Sequence, residues 1–186
     1  MLNRRVARRH GFTLPEVLVS IALISILGAV LIPTVRGKLQ DGYENALVLE
    51  FSDLATAIAA YRQDVGYYPP YLDYLTAIPT APTDFCGRLL TAEDSAKWRG
   101  PYTSRIISPQ NYEVFQKDTV QDQLVRPGGN PSIIEVQIYG PDTTTAHNVD
   151  LKIDGVVNQT GGTMLWSVNG NGTIMSYAIP TRSGAC

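Results

Sequence analysis

Residues 9–20 read RHGFTLPEVLVS, and Glu16 is out of place in them. Before it lies a leader whose only charged side chains are Arg4, Arg5, Arg8 and Arg9; after it the chain stays apolar. From Phe12 to Pro33 there are 22 residues, and Glu16 is the only charged one. A helix of that length crosses a hydrocarbon layer of ~30 Å. An ionisable side chain at membrane depth costs roughly 2.5–3.5 kcal/mol on insertion scales, so something must compensate it. A cleaved secretory signal fits poorly, because no A-x-A-like site closes the apolar run and IPTVRGKLQ follows instead. An uncleaved signal anchor accounts for the length and the basic flank, and leaves Glu16 unexplained.

The whole chain has 186 residues, room for one domain with a real core plus an appendage. With the four leader arginines set aside, the rest carries 11 Lys+Arg against 17 Asp+Glu, a net charge of −6. A body so acidic is a poor partner for nucleic acid, which selects positive surfaces. The basic leader reads as an orientation signal held on the cytoplasmic side.

Beyond Pro33 the pattern turns amphipathic. Leu47, Phe51, Leu54, Ile58, Tyr61 and Val65 recur at spacings of four and three, one face of a helix. GYYPP ends the run, with Gly66 as a cap and Pro69 as a stop. Pro33 removes one helical hydrogen bond and predicts a kink or loosened turn there. After residue 66 the grammar is that of strands and turns. Strands are predicted at 112–116, 133–139, 149–153, 163–168 and 173–179, the last two joined by a hairpin at NGNG. The expected fold is α+β, a long N-terminal helix whose C-terminal half packs on an antiparallel sheet. Its boundaries are a leader at 1–11, an apolar helix at 12–33, an amphipathic continuation at 34–65 and a β-rich domain at 66–186.

Gly11 followed by Phe12-Thr13-Leu14-Pro15-Glu16 resembles the start of the type IV pilin and pseudopilin superfamily. That resemblance implies cleavage between Gly11 and Phe12 by a prepilin peptidase, N-methylation of Phe12, and a glutamate at the fifth mature position. It also implies the compensation sought for Glu16: in a helical filament its carboxylate meets the Phe12 amine of a neighbouring subunit and sets the axial register. GYYPPYLDYLTAIP and WRGPYTS are similar to stretches of the major pseudopilin of type II secretion. Two departures stand out: no DPWG box follows GPY, and the 175 residues left after the leader are long for that protein. The family's late acidic calcium loop makes Asp142, Asp150 and Asp154 weak candidates here, because they lack tight ligand spacing; no other cofactor is expected.

Two cysteines remain, Cys86 and Cys186. A domain outside the cytoplasm sits where disulfides persist, and type IV pilins often carry a C-terminal one. The readings are an intramolecular bridge, an intermolecular bridge, or two free thiols. Enzyme chemistry has little to stand on: His147 is the one histidine beyond the leader, and there is no Walker A loop, H-E-x-x-H, C-x-x-C or G-x-S-x-G. The function implied is a structural subunit of an envelope-spanning filament, stored as a single-pass inner-membrane precursor with its domain in the periplasm. Its implied partners are copies of itself, other pseudopilins, the peptidase and an inner-membrane assembly platform. Type II secretion is the first reading and a type IV pilin, major or minor, the second. A solitary membrane-anchored binding protein is the rival from another class, and it has no use for Glu16.

Overall fold

The structure is a computed structural model describing residues 12–80, 83–104, 112–115, 118–127, 132–170 and 172–181. Helix α1, Leu14–Val65, continues through Pro33. The chain divides into two compact units, up to Tyr43 and from Glu44 onward. In the first unit the helix is exposed nearly all round, with bare side chains from Leu14 to Leu39. In the second, the six-residue stripe from Leu47 to Val65 is buried without exception, each residue at most 1% exposed. Periodicity thus located the core face of the helix, and Phe51 stacks on Tyr177 of the sheet at 5.4 Å between ring centroids.

A 3-10 turn, Leu72–Leu75, and a short helix α2, Ala92–Ala96, follow. The sheet has five strands in the order β1-β2-β3-β5-β4, antiparallel throughout. They are β1 Tyr112–Phe115, β2 Asp118–Gln121, β3 Ile133–Tyr139, β4 Met164–Asn169 and β5 Gly172–Pro180. Four of the five predicted strands are present. The hairpin at NGNG is present too, with Asn169 paired to Gly172 across a two-residue loop. Strand β2 is too short and polar to announce itself.

The strand predicted at 149–153 is instead part of helix α3, Thr143–Asp154. Asp142 caps its start by accepting the Thr145 N–H, and Gly155 ends it in the left-handed region at φ 75°. The buried positions are Thr145, Ala146, Val149 and Asp150, a helical face. The alternation of Val149-Asp-Leu-Lys-Ile misleads because it carries no trace of the caps on either side. Helix α3 lies against the sheet, chiefly against β4.

Candidate functional site

Gly11 lies outside the described residues. Phe12 is 87% exposed, and α1 starts two residues later. Thr13 occupies the N-cap position and Glu16 the third helical position, the places of a capping box. The Glu16 carboxylate accepts the Thr13 backbone N–H at 3.0 Å and the Thr13 hydroxyl at 2.9 Å. Pro15 sits in the first turn, where its missing N–H costs nothing. In a single chain, Glu16 is therefore held by its own helix start, a local partner that the sequence reading missed although T-x-x-E signals it.

The other polar side chains of the span are satisfied in the same inward way. Ser20 donates to the Glu16 carbonyl and Ser25 to the Ile21 carbonyl, each at 2.8 Å, and Thr34 does so to Val30 at 3.1 Å. Hydrocarbon offers no partner to an open hydroxyl, so such back-bonding is what a lipid-facing helix requires. By length and composition α1 can cross a membrane.

In the second unit the WRGPY stretch closes over the end of α1. The Trp98 indole N–H donates to the Tyr74 carbonyl at 2.9 Å, and the Tyr102 N–H to Leu75 at 2.7 Å. The Tyr102 hydroxyl donates to Asp64 at 3.0 Å and accepts the Arg99 N–H at 2.9 Å, while its ring meets Tyr61 and Trp98 edge-on. Gly100 is required here because the Trp98 ring fills the space where a Cβ would stand. Helix α3 is clasped to α1 by Glu44, only 2% exposed, which accepts from Asn148 at 2.7 Å and from Lys152 at 2.8 Å.

The three calcium candidates do not assemble a ligand set. Asp142 caps α3. Asp150 accepts the Asn158 N–H at 2.9 Å and the Trp166 indole N–H at 3.1 Å. Asp154 accepts the backbone N–H groups of Thr163 and Met164. Among the described residues no three His, Cys, Asp or Glu side chains gather to hold a metal. His147 is exposed on α3. Cys86 is half-buried in a turn organised by Asp84, whose carboxylate accepts the N–H groups of Cys86 and Arg88. No described cysteine is free; Cys186 lies outside the described residues.

Against known proteins, the family described as the prokaryotic N-terminal methylation motif matches residues 6–32. The type II secretion system core protein G of Klebsiella pneumoniae is 27% identical over 77% of this chain and 93% of its own length. Its counterpart in Dickeya chrysanthemi is 26% identical over 89% of this chain and 97% of its own. The core protein G of Pectobacterium carotovorum subsp. carotovorum is 30% identical, and there the match spans 41% of this chain and about half, 49%, of the relative. No solved structure matches. In the motif at the N-terminus, the exposed apolar helix behind it and a likeness running the length of two core proteins G, this chain is similar to the pseudopilins of type II secretion.

Proposed function

We propose that the chain is a pseudopilin of a type II secretion system, a structural subunit that waits in the inner membrane and assembles into a filament with copies of itself and other pseudopilins. The observation that carries this is Glu16, a lone carboxylate in a helix start otherwise fit for lipid, at the fifth position after Gly11. The peptidase cuts after Gly11, and the new Phe12 amine is methylated. In the membrane, Thr13 holds the carboxylate within its own subunit. In the filament, the amine of the adjacent subunit supplies a cation, and pairing offsets much of what each buried charge costs alone. The basic leader keeps the N-terminus cytoplasmic and the second unit periplasmic. The reading needs no catalytic group.

Cys186 is the proposed partner of Cys86, since the chain holds two cysteines and Cys86 is not free. Peptide mapping without reductant should recover the two joined in one chain; alkylation of both thiols would refute the pairing. A C-terminal disulfide is the feature that favours a type IV pilin as the second reading.

Glu16→Ala tests the main proposal. The variant should insert and be cleaved normally, because removing a charge eases insertion. Filament yield by shearing or crosslinking should collapse, since the incoming amine would be buried without a partner. Normal filaments from uniformly substituted protein would refute the role given to Glu16. A mature N-terminus other than Phe12 would refute the prepilin reading itself.

A further inference from the structure

Strand β4 closes one side of the sheet, and among the described residues no strand lies beyond it. An open strand edge is a template for another chain, and proteins blunt such edges with lysine, proline, a bulge or a cover. Met164-Leu165-Trp166-Ser167-Val168-Asn169 has no charge, no proline and no glycine. A short segment of that composition is the kind that pairs with copies of itself. Its ladder to β5 runs unbroken from Met164↔Tyr177 to Asn169↔Gly172, so no bulge turns the edge away. That leaves a cover.

The connection that precedes the strand supplies it. In an antiparallel strand successive residues turn their N–H groups to alternate sides. The Met164 N–H goes to the Asp154 carboxylate at 2.8 Å and the Trp166 N–H to the Gln159 carbonyl at 3.1 Å. Both therefore face away from β5, and the Val168 N–H is the third of that set. Two of the three outward donors are thus taken, and Val168 itself is 58% exposed. Two acids one turn apart on α3 pin the connection. Asp150, fully buried, accepts the Asn158 N–H at 2.9 Å and the Trp166 indole N–H at 3.1 Å on the same oxygen. Asp154 accepts the Thr163 N–H. Apolar burial does not hold this stretch: residues 155–160 are all exposed, Val156 at 66% and Val157 at 38%. Since Asp154 already touches Thr163 and Met164, a loop at the short end of the usual ~2–6 residues would close the gap. Nine residues stand there instead, between Asp154 and Met164.

We propose that residues 155–163 are an edge guard, which keeps β4 from pairing antiparallel with β4 of a second copy of this chain. The excluded partner follows from the segment itself. Two identical uncharged strands meet with no like charges opposed, and a two-fold pair satisfies the outward groups of both at once. Subunits stored side by side in a membrane, as proposed above, meet at high local concentration, where such pairing competes with ordered assembly. The guard blocks it by laying an irregular stretch where the second strand would lie. The buried carboxylate of Asp150 gains a purpose from this, because one of its oxygens ties the guard's amide to the indole of the strand being guarded.

Shortening the connection tests this. Replacing residues 156–161 by two glycines leaves Asp154 its bonds to Thr163 and Met164, and removes both the Gln159 carbonyl and the Asn158 pin. The full chain in detergent micelles is followed by hydrogen exchange read by mass spectrometry, with light scattering on the same samples. At low protein concentration the 164–169 segment should exchange ~10-fold faster than in wild type, for the loss of its outward hydrogen bond. As concentration rises that segment should regain protection while dimers form, and wild type should show no such dependence. Val168→Lys added to the shortened chain should abolish the dimers, because a charge on the edge opposes pairing. Unchanged protection of β3 and β5 reports an intact sheet. Should the shortened chain lose it, Asn158→Pro, which removes the N–H given to Asp150, should show the same dependence in weaker form, and its absence there would count equally against the guard. An intact shortened chain without concentration-dependent protection of 164–169 would overturn the proposal. So would dimers that survive Val168→Lys. Neither result bears on Glu16, which is judged by filament yield.

Discussion

Asp154→Ala is the substitution that most directly separates a structural carboxylate from a metal ligand. Asp154 ends α3 and receives the Thr163 N–H at 2.9 Å on one oxygen and 3.1 Å on the other, with the Met164 N–H at 2.8 Å. These bonds fold the 155–163 connection back and start β4. Without the carboxylate, two backbone donors lose their acceptor. A hydrogen bond to a charged group contributes roughly 1.5–3 kcal/mol. Asp154 is half-buried and water can replace part of the loss, so the lower end applies, about 3 kcal/mol for the two. At ~2–4 °C per kcal/mol for a domain of this size, the thermal midpoint should fall by ~6–12 °C. Asp154→Asn keeps an acceptor oxygen and should fall between. Gly162, at φ 100° with the Asp154 carboxylate in the place of a Cβ, belongs to the same unit; Gly162→Ala combined with Asp154→Ala should cost less than the two separately. The assay is thermal unfolding of the full chain in detergent, with calcium and with chelator. A variant that melts like wild type, or a loss seen only when calcium is present, would refute this reasoning.

Glu44→Ala should cost ~1–3 kcal/mol, since it strips the α3 clasp of its central acceptor; a double-mutant cycle with Lys152→Ala should show positive coupling in urea melts. Gly100→Ala should cost about 1–3 kcal/mol by overpacking against the Trp98 ring, with a matching change in tryptophan fluorescence. The pH profile of stability should fall on both sides of an acid optimum. Asp94, pulled down to about 2 by the Thr91 N–H and Lys97, contributes stability that is present above its ordinary 3.8 and lost as pH falls toward 2. Asp118 and Asp122 act in the opposite sense, so their contribution falls as pH rises from 3.8 through 6. Asp118→Asn should therefore raise the thermal midpoint at neutral pH and leave it nearly unchanged near pH 4.

The anchor and the face of its helix are properties of the sequence alone. Hydropathy accumulates along consecutive residues from Phe12, and the Leu47–Val65 stripe repeats with the helical period, so both are visible without a partner. The lone Glu16, set after Gly11-Phe12, was legible for the same reason, and so was the hairpin that Asn and Gly punctuate at 169–172. Only tertiary structure decided the stretch from 142 to 164. There Val149-Asp-Leu-Lys-Ile alternates like a strand, yet Asp142 and Gly155 bound it as a helix, and Lys152 and Asn148 reach Glu44 more than a hundred residues earlier. The tasks of Asp150 and Asp154 come from that helix, since the amides they accept lie beyond its end. The burial of Asp118 and Asp122 was equally out of reach of the sequence. A carboxylate in a short polar strand looks solvated until the elements bearing Asp142 and Asp73 close over it, and those contacts come from distant parts of the chain.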